Sequence, residues 1–366
     1  MKYLLILVLM LTGLLTFAQK VWTVDGPYVR YEDQKAVAIT IEKDDNLTLA
    51  KSELILPGEQ MVVTPEGHPE WAFKVSLKEK IEIPYGEYPA AGKTLFVSDI
   101  EGEFKVFREL LLKSKVIDQE YNWIYGANNL VIAGDLFDRG KDVVPELWLL
   151  YKLEDEAKAK GGSVHVLLGN HDIMNLDGDH RYTDGKYFKN AWLMGTDATG
   201  LFGKDTELGR WLLSKNIVEK IGDVLVMHAG LSPEVARLNL SLEQLNHKAR
   251  PYYDVKINQI PADFKVLFDK SSPFWYRAYF RETKISMAGL DSTLQQYACK
   301  YIVVGHTIVK WNVASYYEGK VIGIDVDTHK GHSASVLYEN GKWHRDNQKL
   351  LRYKPKNDQI KEKDIL

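Results

Sequence analysis

From Lys93 onward, short apolar runs alternate with longer stretches in which apolar residues recur every three or four positions. Thr94-Leu95-Phe96-Val97, Leu130-Val131-Ile132-Ala133, Val164-His165-Val166-Leu167-Leu168, Val224-Leu225-Val226-Met227 and Tyr301-Ile302-Val303-Val304 are the runs. A strand with one wet face would alternate apolar and polar, so near-continuous runs predict strands covered on both faces. Phe104, Phe107, Leu110 and Leu111 follow the first run at helical spacing, and Leu147 to Leu153 belong to a helix ending near Gly161-Gly162. Strand, turn and helix in repetition predict an α/β architecture. Near the end, Val321-Ile322-Gly323-Ile324 and Ala334-Ser335-Val336-Leu337 read as a hairpin closing a second sheet.

The remainder of the chain has other textures. Between residues 19 and 92, Val29-Arg30-Tyr31, Ala36 to Ile41 and Met61-Val62-Val63 are β-type runs punctuated by Gly26-Pro27, Pro57-Gly58 and Gly67-His68-Pro69. They predict a small β-rich accessory segment on a main domain spanning residues 93–345. Residues 346–366 form a polar, lysine-rich tail. At the other end, Lys2 precedes an apolar run from Leu4 to Phe17, closed by Ala18 before Gln19-Lys20. This is the pattern of a signal peptide over residues 1–18, too short to span a bilayer comfortably; an uncleaved anchor is the alternative. The expectation is an exported protein, periplasmic or secreted, with no membrane span once the leader is removed.

Charge and cysteine content narrow the options further. The formal net charge is −3 with no long basic run, which predicts no nucleic-acid partner and no electrostatic pull toward anionic lipid. Cys299 is the single cysteine, so no internal disulfide forms.

Each apolar run ends in polar residues able to bind metal. The five strings are Ser98-Asp99-Ile100-Glu101-Gly102, Gly134-Asp135-Leu136-Phe137-Asp138-Arg139-Gly140, Gly169-Asn170-His171-Asp172, His228-Ala229-Gly230-Leu231 and Gly305-His306-Thr307. Taken singly, such an Asp could cap a helix and such a Gly-His could end a strand. Five in one order, each after a buried strand, predict loops that meet in a crevice and offer oxygen and imidazole donors to divalent cations.

This ordered set resembles the calcineurin-like metallophosphoesterases over roughly residues 94–340. Asp138-Arg139-Gly140 and His228-Ala229-Gly230-Leu231-Ser232-Pro233 point to the phosphoprotein phosphatase-like branch. The resemblance implies two β-sheets packed as a sandwich and flanked by helices, with two divalent metal ions at one edge. It implies that Asp99 and Glu101 hold the first ion, that Asp135 bridges both, and that Asn170, His228 and His306 hold the second. It further implies hydrolysis of phosphate monoesters by a metal-bound hydroxide, with His171 as general acid oriented by Asp138 and with Arg139 gripping phosphate. Ser272-Pro273-Phe274-Trp275-Tyr276-Arg277 resembles a phosphate-binding segment of bacterial relatives. Arg277 is therefore the expected second clamp, with Arg281 as the neighbouring alternative.

One departure matters. The family carries histidine where Glu101 stands, so the first site becomes all hard oxygen, which favours manganese, with iron or magnesium next and zinc less suited. Glu101 could instead point away. Ile308 replaces a histidine of diesterase-type relatives. The expected substrate is a phosphorylated protein or a small phosphate ester. A nucleotide or diester hydrolase is the alternative enzyme, and a non-catalytic exported metal-binding module the alternative outside enzymes. The remaining histidines, His329 among them, have no motif, and Asp325 and Asp327 are expected near the site.

Overall fold

A computed structural model of the chain describes residues 22–44, 47–56, 58–281, 285–308, 313–345 and 348–349. The expected leader and almost all of the expected tail lie outside the described residues. Near the N-terminus, Trp22–Glu32 (β1), Lys35–Lys43 (β2) and Thr48–Ile55 (β3) form an antiparallel meander, followed by a small hairpin of Gln60–Val63 (β4) and Phe73–Ser76 (β5). Then come Glu87–Tyr88 (β6), Lys93–Val97 (β7), Asn129–Ala133 (β8), Ser163–Leu167 (β9), Val218–Ile221 (β10), Val224–Met227 (β11), Tyr301–Val304 (β12), Ala314–Tyr316 (β13), Val321–Gly323 (β14), Val336–Glu339 (β15), Lys342–Arg345 (β16) and Gln348–Lys349 (β17). They assemble into two six-stranded sheets, in the orders β17-β16-β15-β7-β8-β9 and β13-β14-β12-β11-β10-β6.

Alternation along the strands explains the sandwich. Phe96, Val131, Leu167 and Val336 of one sheet meet Ile221, Val224, Val226, Val303 and Ile322 of the other in one buried cluster. Their neighbours Leu95, Val97, Leu130, Ile132, Leu225, Met227 and Ile302 point outward into a second cluster. There they meet Phe104 and Phe107 of the helix Phe104–Lys113 (α1), and Leu147 and Leu150 of Val143–Ala159 (α2). Both faces of each central strand are thus dry, which is why the runs contain no polar alternation.

The last two apolar runs do not form a hairpin with each other, contrary to the expectation. β14 pairs in parallel with β12, whereas β15 pairs antiparallel with β7 in the opposite sheet. Residues 324–335 therefore cross from one layer to the other. The true hairpin is β15–β16, whose two-residue link, Asn340-Gly341, has φ of 51° and 74°. Asn-Gly tolerates positive φ at both positions, which suits the twist of a tight hairpin.

The segment before residue 93 shares the core rather than standing apart. Val29, Ile39, Met61 and Phe73 belong to the outer cluster, the Trp148 indole N–H donates to the Pro27 carbonyl (2.8 Å), and β6 pairs with β10 as an edge strand. At the other end, β17 extends the first sheet by two residues. No helix among the described residues is long and apolar enough to cross a membrane.

Candidate metal and phosphate site

The strings that follow β7, β8, β9, β11 and β12 are stitched together by backbone bonds between loops. The Asp99 amide donates to the Gly134 carbonyl (3.0 Å), the Glu101 amide to the Asp135 carbonyl (3.1 Å) and the Gly305 amide to the His228 carbonyl (2.8 Å). Two glycines make the approach possible. A methyl group on Gly169 would lie 2.1 Å from Asp135 Oδ1, and one on Gly305 would lie 2.3 Å from Asp99 Oδ2. Asp99, Glu101, Asp135, Asp138, Arg139 and His306, six of the ten predicted site residues, have φ between 51° and 77°. That left-handed region costs a residue with a Cβ roughly 1 kcal/mol. Such strain persists where surrounding bonds over-determine the loop, and it gathers at functional sites.

Around His228 the predicted second-ion ligands converge. Its Nε2 is 3.0 Å from Asn170 Oδ1, 3.1 Å from Asp135 Oδ2 and 3.2 Å from His306 Nδ1. Its Nδ1 donates to the Ala133 carbonyl at 2.8 Å, so in the neutral ring the lone pair sits on Nε2 and faces the other donors. All four residues are buried, and His306 Nε2 has no partner among the described residues. Two imidazole nitrogens and two oxygens gathered in this way fit a divalent cation.

The other half is different. Asp99 is buried, but its oxygens accept from the Ser98 hydroxyl (2.5 Å) and the His306 amide (3.1 Å). Glu101 brings a carboxylate oxygen within 4.8 Å of ligand atoms of Asp135 and His171, so it does not point away. Its oxygens are shared, with one ion-paired to Arg139 and the other 3.0 Å from His329 Nδ1. Packing so many acids together moves their protonation. Burial, reinforced by Asp135, pushes Asp99 up to about 6, while burial and Asp99 push Asp325 well above the usual carboxylate range. Burial disfavours charge on His228, yet Asp135 and Asp99 outweigh it and lift that imidazole to about 9. A cluster so rich in carboxylate is one that divalent cations would balance.

His171 sits on the helix Asn170–Asp177 (α3), with Nδ1 2.5 Å from Asp138 Oδ2. The second Asp138 oxygen accepts from Asn175 Nδ2 (2.8 Å) and from the Thr183 hydroxyl (2.9 Å), so the carboxylate is clamped from two sides. His171 Nε2 is thereby aimed at the site, 3.4 Å from Arg139 Nη2. Arg277 reaches in from another loop and donates to the His306 carbonyl (2.8 Å) and Thr307 Oγ1 (3.2 Å). Arg281 is exposed, so of the two candidate arginines Arg277 is the one held against the His306 loop.

Residues 92–310 match the family model of the calcineurin-like phosphoesterases. The chain belongs to that family. The crystal structure of a cold-active protein-tyrosine phosphatase from a psychrophilic Shewanella superposes with a TM-score of 0.80 at 36% identity, over 90% of this chain and 98% of that one. Shewanella-like protein phosphatase 2 of Arabidopsis thaliana is 26% identical over 68% of this chain and 75% of its own length. Shewanella-like protein phosphatase 1 of Plasmodium berghei is 30% identical over 59% of this chain and 61% of its own. These similarities place the phosphoesterase in the phosphoprotein phosphatase-like branch and make it a metal-dependent phosphatase.

Several residues that shape the phosphoesterase site were not assigned from sequence. Asp172 accepts from the amides of Gly169 (2.6 Å), Leu136 (2.8 Å) and Asp135 (3.1 Å), fastening two loops to the start of α3. An acid in the first turn of a helix was a legible signal for this role. Asn175 is one helical turn from His171, the spacing that would have found it. The carbonyl of half-exposed Tyr182 accepts from the Arg139 amide at 3.1 Å, and its ring lies 5.2 Å from that of His171. His329 had no motif at all. Tyr187 and Tyr253 are buried in the core, while Tyr182 and Trp192 are exposed.

Proposed function

We propose that this protein is an exported phosphoprotein phosphatase that removes phosphate monoesters, phosphotyrosine foremost. The observation that carries the reading is the joint placement of two arginines and a clamped histidine at one cluster of metal donors. Arg139 and Arg277 present guanidinium groups from different loops, matching the terminal oxygens that a monoester has and a diester partly lacks. When bound, two divalent ions supply Lewis-acid polarisation and activate a water molecule. The all-oxygen set of Asp99, Glu101 and Asp135 supports manganese as the first ion.

The side chains divide the remaining work. Arg139 and Arg277 orient the phosphate, and their charge offsets what develops on its oxygens. Asp138 fixes the ring of His171 through Nδ1, so that any proton donated to the leaving oxygen comes from Nε2. Nε2 accepts from Arg139 in the resting geometry, and taking up a proton there turns it into the donor. The Tyr182 ring, 5.2 Å from that of His171, gives an aromatic leaving group an aromatic neighbour. The similarity to a protein-tyrosine phosphatase over nearly all of both chains supports the same choice. The apolar run at residues 4–17 supports export.

The test is turnover by the manganese-loaded protein of phosphotyrosine and phosphoserine peptides, 4-nitrophenyl phosphate and its bis ester. Monoesters should exceed the diester and phosphotyrosine should exceed phosphoserine. In His171→Ala, kcat should fall about 10²- to 10⁴-fold on the peptides and less on the nitrophenyl ester, whose leaving group needs no proton, with ion content unchanged. Diester preference would remove the monoesterase reading, and equal losses on all esters would remove the general-acid role.

A further inference from the structure

The crossover from β14 to β15 brings a histidine to the place where the family's own histidine is missing. Asp327 and Gly331, at φ of 61° and 81°, bracket the turn Thr328–Lys330 and direct it back toward the site. His329 Nδ1 is 3.0 Å from Glu101 Oε2, and His329 Nε2 is 2.9 Å from Asp327 Oδ1. Lys330 Nζ is 2.8 Å from the other Asp327 oxygen. Glu101 and Asp327 are both at least nine-tenths buried, at 3% and 2% exposure. The loop is moored at its start by the Ile324 amide, which donates to the Val304 carbonyl (2.9 Å), and by the Asp327 amide, which donates to Asp325 (3.1 Å).

We propose that His329 is the positioning residue that makes Glu101 a metal ligand, so that an imidazole returns to the first site from another part of the fold. The inference rests on the metal-site reading above. Glu101 has one oxygen drawn to Arg139, and left alone it would be an ion-pair partner of that arginine rather than a ligand. His329 holds the second oxygen from the opposite side and fixes the carboxylate plane. Outer partners orient ligands at metal sites in this way, and Asp327 Oδ1 lies 2.9 Å from the other ring nitrogen, an ion-pair contact when the imidazole is charged. Histidine and glutamate thus form a pair that replaces one ligating histidine with an oriented carboxylate.

The test counts ions without substrate. Manganese is titrated into the full chain, with free ion followed by electron paramagnetic resonance and bound ion per chain by mass spectrometry. The wild type should hold two ions. His329→Ala should keep one with unchanged affinity and bind the other roughly 10- to 100-fold more weakly, as expected for loss of an outer-shell partner. His329→Asn places an amide N–H near the position of Nδ1 and should recover most of that loss. The double variant Glu101→His, His329→Ala should recover two tight ions by restoring the family arrangement. Two ions of unchanged affinity in His329→Ala would overturn the proposal, as would one ion in the wild type. If His329→Asn is as weak as His329→Ala, the histidine only anchors its loop and the proposal also fails. Because no turnover enters, failure of the phosphatase reading would appear in the peptide assays and failure here in the ion count.

Discussion

The two halves of the candidate site are held by different means. Around His228, donors from the loops after β8, β9, β11 and β12 draw together from both sheets, all buried, with the ring orientation set by the Ala133 carbonyl. Around Glu101, the carboxylate is divided between Arg139 and His329, whose side chains are 35% and 27% exposed. One half is closed and its donors face one another. The other is open toward solvent and its donor has competitors. The contrast teaches that a closed half can hold an ion by geometry alone, whereas the open half depends on which partner holds Glu101.

The hardest test of that contrast is the carboxylate between the halves. Asp135 Oδ1 accepts from the His171 amide (2.9 Å) while Oδ2 faces His228 Nε2 (3.1 Å), so one side chain serves both sides. In Asp135→Asn both ions should be weakened and turnover of 4-nitrophenyl phosphate should drop by about 10³-fold or more, beyond the 10- to 100-fold of an outer-shell loss. His228→Ala should remove one ion only. Retention of both ions in Asp135→Asn, by metal analysis after gel filtration, would break the picture of two halves joined at one carboxylate.

The arginines sharpen the contrast with a smaller effect. Losing a charge-assisted bond to phosphate costs about 1.5–3 kcal/mol, or roughly 10- to 100-fold in KM. Arg139→Ala and Arg277→Ala should both show that rise. They should differ in metal binding. Arg139→Ala frees Glu101 from a competitor and should tighten manganese at the open half, while Arg277→Ala, bonded to a backbone carbonyl and Thr307, should leave both ions as they were. Unchanged manganese affinity in Arg139→Ala would mean that the arginine does not compete for Glu101.

The same contrast governs what could be read before the fold was known. The central strands were legible because burial on both faces leaves no polar interruption, and the loops because their chemistry follows immediately in sequence. Leu95, Phe96 and Val97 run straight into Asp99. The last pair of strands was misread because parallel pairing partners are chosen at long range, and nothing local shows that β14 and β15 enter opposite sheets. The Asn340-Gly341 turn was a local signal that would have found the true hairpin. His329 could not have been found by spacing, because it meets Glu101 only through a crossover between layers separated by more than two hundred residues of chain. The closed half is a local pattern repeated in four loops, and the open half owes the second partner of its Glu101 to one tertiary contact.

The smallest expected effect concerns what lies behind the open half. Glu146, on α2, is fully buried; its Oε2 accepts from the Gly102 amide at 3.1 Å, and Oε1 has no partner among the described residues. Burial, with Asp172 adding to it, holds this carboxyl well above its ordinary range. The folded state therefore keeps a proton that the unfolded chain gives up. Below the ordinary glutamate range both states are protonated and nothing is lost. As pH rises from there toward the folded value, stability falls by up to about 1.4 kcal/mol per pH unit. Glutamine keeps a carbonyl for Gly102 and carries no proton to release. Glu146→Gln should melt with the wild type near pH 4 and above it at pH 8, by roughly 2–4 °C for each kcal/mol recovered. A gap that stays constant across that range would mean that packing, and not the buried acid, separates the two proteins. Ion content should be the same in both, since Glu146 touches the backbone beside Glu101 and not its carboxylate.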